Sequence, residues 1–235
     1  MYERPATPTA QPMLNAHSFT SSTRYVMQRL ILVFLFFSMV YTAYAQRPPV
    51  PDAQDLSHTH GLFVHVRTGG HGIDYDGDIE GAEGLGLGLR VGYGFTDRFT
   101  AYLGFEGAGL SGSQGFEGLG SDEEYGLAYV ELGSRFHFRP GRTLVPYADA
   151  AVSVIGLGYD GSGPYDGNDV SYGGMGFSLG GGMLYFVSQR VALDGGVAFT
   201  PGSLMEQYVA GGTEDVDIKL TGVRIHVGLT FYPFR

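Results

Sequence analysis

The chain has 235 residues and a formal net charge of −10, with 39 glycines, no cysteine and no tryptophan. Without cysteine, neither a disulfide framework nor a cysteine-ligated metal site can form. An acidic chain with few lysines and arginines is also unsuited to nucleic acid, so no nucleic-acid partner is expected. Glycine-rich chains are often disordered, but disordered chains lack the aromatics and periodic apolar residues that abound here. These glycines therefore belong to ordered strands and turns.

Residues 1–26 are polar and aperiodic, and we read them as an extension ahead of a true start at Met27. Arg24 and Arg29 flank that start. An apolar run from Leu30 to Val40 follows, and then Ala43-Tyr44-Ala45. A basic segment, an apolar core and a small-x-small site are the three parts of a secretory signal, so 27–45 is expected to be cleaved after Ala45. The run is short for a membrane anchor of about 20 residues. Residues 46–58, with Pro48, Pro49 and Pro51, form a loose periplasmic leader.

From residue 59 the pattern changes to period two. In Val223–Phe231 the odd positions are Val, Ile, Val, Leu and Phe, and the even ones Arg, His, Gly and Thr. That alternation marks a strand with one apolar and one polar face. Seven upstream segments repeat it, predicting strands near 60–68, 84–95, 99–110, 125–138, 144–158, 172–187, 191–200 and 217–232. Short connections (96–98, 140–143, 188–190) alternate with longer ones (69–83, 111–124, 159–171, 201–216). Short turns on one side and long loops on the other predict an all-β fold: an eight-stranded antiparallel up-and-down transmembrane β-barrel over 59–235, with both ends periplasmic.

Residue size decides which face looks inward. Leu85, Leu87, Leu89, Val91 and Tyr93 share one face of the second strand, and Gly86, Gly88, Arg90 and Gly92 the other. An eight-stranded barrel has little room beyond its own side chains, so the bulky faces must point outward and the glycine-and-charge faces inward. Phe95, Phe99, Phe138, Tyr185 and Phe231 then form an interfacial aromatic girdle beside the short turns. The inward set includes Arg67, Arg90, Glu106, Glu131, Arg135, Asp149, Asp194 and Arg224, with His65, His137 and His226. Buried charges must be paired, so a lumenal salt-bridge network that plugs the barrel is expected, with the glycines making space for arginine stems. A soluble lipocalin-like barrel would need the apolar faces inside, and a chain without tryptophan lacks that family's Gly-x-Trp signature.

The long loops and their edges hold 16 of the 24 acids. Asp74, Asp76 and Asp78 have the spacing that opens an EF-hand loop, but the later glutamate is misplaced. They are at most a weak calcium candidate, since Asp-Gly pairs are ordinary turn formers, and otherwise no cofactor is expected. Loop acids sharing divalent ions with lipopolysaccharide is a hypothesis of the same kind. Lipid A-modifying barrels use a serine beside a histidine at the outer rim, but His71 in the first long connection has no evident serine partner. The alternatives to a non-enzymatic barrel are thus a narrow porin-like channel and a lipid A-modifying enzyme.

The unit Gly92-Tyr93-Gly94-Phe95-Thr96-Asp97-Arg98-Phe99-Thr100-Ala101-Tyr102 resembles the strand–turn–strand unit of the OmpA/OmpX-like outer-membrane β-barrel family. The closing strand is similar to that family's terminal assembly signal, though Phe234 is penultimate and Arg235 last. The resemblance implies a monomeric, non-enzymatic barrel in the bacterial outer membrane, inserted by the barrel-assembly machinery, with surface loops for adhesion or envelope integrity. It implies no peptidoglycan-binding role, because the family's domain for that follows the barrel.

Overall fold

The computed structural model describes residues 57–76, 81–112, 124–159, 170–209 and 212–233. These belong to the compact unit Ala53–Arg235. The extension, the signal segment, almost all of the leader, Asp78 and the last two residues lie outside the described set.

Eight strands follow one another: β1 (Gly61–Tyr75), β2 (Ala82–Gly94), β3 (Phe99–Gly112), β4 (Glu124–His137), β5 (Leu144–Tyr159), β6 (Val170–Phe186), β7 (Val191–Val209) and β8 (Gly212–Phe231). Each pairs antiparallel with the next, and β1 pairs with β8, from Val64↔Phe231 to Tyr75↔Leu220. Closure leaves the barrel no open edge, which is what a bilayer demands of a sheet.

The short turns are built by local chemistry. The Thr96 hydroxyl accepts the N–H groups of Arg98 (3.2 Å) and Phe99 (3.0 Å). Ser188 does the same for Arg190 and Val191. Such side-chain-to-backbone bonds stabilise tight turns. Between Arg139 and Arg142 the work falls to Pro140 and to Gly141, whose φ of 84° suits glycine.

Side chains alternate as the period of two requires, but the chemistry of the two faces changes along the axis. In the belt above the short turns, Leu85, Leu87, Leu132, Val227 and Leu229 point outward and are exposed. Nearer the long loops the polarity reverses. There Ile73, Tyr75, Leu110, Leu127, Leu157 and Leu220 point inward into an apolar cluster, while Asp74, Asp76, Glu83 and Asp217 point outward. The barrel thus has a collar with an ordinary buried core standing on a belt that wears its apolar residues outside.

This reversal corrects the strand limits read from sequence. Residues 69–75 continue β1 rather than forming a loop, and 201–209 and 212–216 belong to β7 and β8. Two register shifts, at Gly173/Gly174 and Leu204/Glu206, occur in the same collar.

Candidate functional site

The lumen is the place where the fold gathers charge. Inward parity on seven different strands sends Arg67, Arg90, Glu106, Glu131, Arg135, Asp149, Asp194 and Arg224 to its middle, all buried. Arg135 and Asp149 are register partners on β4 and β5. They form a two-pronged pair, Nε–Oδ1 2.8 Å and Nη2–Oδ2 3.1 Å. The other pairs span the lumen. Arg135 Nη1 donates to Asp194 (2.9 Å), and Arg90 to Asp149 (2.8 Å) and Glu131 (2.9 Å). Arg224 donates to Glu131 (2.5 Å) and Glu106 (2.7 Å). Arg67 joins Glu106 and, at 3.3 Å, Glu131. The eight groups form one connected, formally neutral network, the arrangement under which buried ions are tolerable.

Three tyrosines serve the arginines. Their rings lie under the guanidinium carbons: Tyr147 at 3.6 Å from Arg135, Tyr102 at 4.3 Å from Arg90 and Tyr129 at 4.5 Å from Arg224. The Tyr147 hydroxyl also donates to Asp194 (2.6 Å). A hydroxyl trio, Ser153, Ser178 and Thr200, bonds within itself and accepts from Arg224. These platforms and hydroxyls were not assigned from sequence, yet inward parity marks them as surely as it marks the charges.

Glycines make the space. A Cβ on Gly88 would lie 2.9 Å from Arg67 Nε, and one on Gly133 only 2.5 Å from Tyr102 Cζ. Apolar clusters lie on both sides of the charges. The collar core lies toward the long loops. Toward the short turns lie Phe63, Tyr102, Val145, Tyr147, Leu184, Phe186 and Tyr232.

The histidines sit among these groups. His71 is a β1 residue facing the lumen, which corrects its placement in a loop: Nε2 is 3.3 Å from Glu106. His226 Nε2 is 3.4 Å from Asp194 and 3.3 Å from the Tyr147 hydroxyl. His65 lies 3.6 Å from Asp194, and among the described residues neither ring nitrogen of His65 or His137 has a hydrogen-bond partner. A serine nucleophile needs an imidazole within hydrogen-bonding reach, and among the described residues no serine hydroxyl is bonded to any of these four rings. Asp74 and Asp76 share one exposed face at the collar rim. Among the described residues, no cluster of three metal-ligating side chains has the geometry to hold a metal ion.

Residues 33–231 match the family model of the outer membrane protein beta-barrel domain. Neisserial surface protein A is similar in structure, with a TM-score of 0.54 and 16% identity over 73% of this chain and 97% of that one. The outer membrane protein AlkL, solved by solid-state NMR in DMPC bilayers, has a TM-score of 0.51 and 15% identity over 79% and 95%. At such identities the likeness is one of fold. No curated protein matches the sequence.

Proposed function

The chain belongs to the outer membrane β-barrel domain family, and from that premise we propose a plugged, non-enzymatic barrel with a structural or surface-interaction role. The observation that carries this reading is the connected ion network lying between two apolar clusters in the lumen. A conducting pore needs a continuous aqueous path, and side chains this closely joined leave little room for one. That no described serine hydroxyl hydrogen-bonds to a lumenal histidine supports the non-enzymatic part.

In this reading the short turns face the periplasm and the acidic collar faces outward. The protein is exported through a signal cleaved after Ala45, inserted by the barrel-assembly machinery, and monomeric. Its surroundings are outer-membrane lipid and lipopolysaccharide, with Asp74, Asp76 and Asp78 able to offer carboxylates to a shared divalent ion.

Planar-bilayer recording tests the plug. Purified protein is expected to give no discrete conductance steps, and regular unitary steps would move the assignment to a narrow channel. Mass spectra of lipid A from expressing cells are expected to be unchanged, and an acyl-sized shift would favour the enzyme.

A further inference from the structure

Among the described residues, four of the five exposed lysines and arginines lie at one end of the barrel. Arg98, Arg139, Arg142 and Arg190 are all exposed and lie in the three short turns, where Asp97 is the one carboxylate among the described residues. The opposite rim is acidic, with Asp74, Asp76, Glu83, Asp215 and Asp217 exposed against Lys219. The arginine backbones are held in place: the Arg98 carbonyl accepts the N–H of His137 and the Arg190 carbonyl that of Tyr232, both at 2.8 Å. Just inside the rim the girdle residues Phe95, Phe99, Phe138, Tyr185 and Phe231 point outward. Aromatic belts mark the headgroup boundary. A guanidinium one turn residue beyond that belt stands at the level of the lipid phosphates, whose geometry its fork of donors matches.

We propose that this rim is a docking surface for anionic glycerophospholipid of the inner leaflet, bound through its phosphate by Arg98, Arg139, Arg142 and Arg190. Charge complementarity selects this occupant, because three turns spaced around the barrel present four cations to a surface that carries phosphates all the way round. The arrangement also biases orientation, since the acidic collar is repelled by the same headgroups. The inner-leaflet source rests on the periplasmic placement of the short turns.

The test is electron paramagnetic resonance on the full protein in phosphatidylcholine vesicles carrying trace spin-labelled phosphatidylglycerol or phosphatidylcholine. The motionally restricted fraction is expected to favour the anionic label roughly threefold at low salt and to approach equality as salt rises. The variant R98Q/R139Q/R142Q/R190Q should lose the preference while still giving the β-sheet circular dichroism of the folded barrel. Equal restriction of both labels by the unmodified protein would overturn the proposal, as would a preference that survives in the folded variant or at high salt. Should the quadruple variant not fold, the salt series and the separate pairs R98Q/R190Q and R139Q/R142Q decide. Orientation is read independently with Gln189→Cys in this cysteine-free chain. An impermeant maleimide should leave it unlabelled in intact cells, and labelling there would overturn the inner-leaflet assignment whatever the lipid preference.

Discussion

Glu131 is the residue on which most of the lumen depends, because its carboxylate meets Arg67, Arg90 and Arg224 together. Removing one partner of a buried ionic network leaves charges unpaired, so Glu131→Ala is expected to cost about 3–5 kcal/mol. Urea titration followed by circular dichroism would show it as a lower midpoint, and a loss below about 1 kcal/mol would mean that water already shares these charges. The glycines give a matched contrast. On the inner face, Gly133→Ala brings a Cβ to 2.5 Å from Tyr102 Cζ and 2.7 Å from Ala151 Cβ, an overpacking worth about 1–3 kcal/mol. On the outer face nothing lies within 4 Å of a Cβ at Gly107, so Gly107→Ala should be neutral or stabilise by up to about 1 kcal/mol. The same titration ranks the two, and equal effects would contradict the assigned faces. Parity along each strand assigns eight charged residues to the inner face, and all eight are buried. It could not say which of them pair. Arg135 and Asp149 meet through register, but Arg224 and Glu131 meet across the lumen from β8 and β4, a contact that exists only once the barrel closes.

At the scale of the strand, polarity reversal explains both what was legible and what was not. The starts of β3, β5 and β7 at Phe99, Leu144 and Val191 coincide with the predicted limits, because beside the short turns the alternation of faces is unbroken and the turn residues mark where it begins. At the other end the phase of two persists while apolar and polar residues exchange faces. In β1 Leu62, Val64 and Val66 take the outer parity and Phe63 the inner one, then Ile73 and Tyr75 lie inside, with glycines at 69, 70 and 72 between. Read by hydropathy alone, such a segment loses its pattern and looks like a loop. In β8 the acids at 214, 215 and 217 have the same effect, although Val216 and Ile218 pack against the collar core. The reversal has a measurable consequence. Leu132→Arg, near the middle of the outward belt, is expected to cost about 2–4 kcal/mol of stability in lipid. Asp215→Arg, exposed on the collar, should change stability by no more than about 0.5 kcal/mol. Comparable costs at the two sites would place the bilayer at the wrong height.

For the whole molecule, the three lumenal layers and the two outer zones amount to one statement about where water, lipid and protein meet. In the proposed reading the belt touches lipid and the collar touches water, with paired charges between apolar clusters along the axis. Composition showed that the glycines are structural, and parity showed the direction of the belt. The height at which the belt ends was not legible, since it depends on how far strands can be extended by pairing alone. That height can be measured along β8, whose outward residues run from Leu229, Val227 and Ile225 up to Lys219 and Asp217. Single cysteines at these five positions, labelled with a fluorophore in vesicles containing brominated acyl chains, read lipid contact residue by residue. Strong quenching is expected at 225, 227 and 229 and little at 217 and 219. Uniform quenching along the strand, or none at 225–229, would contradict this expectation.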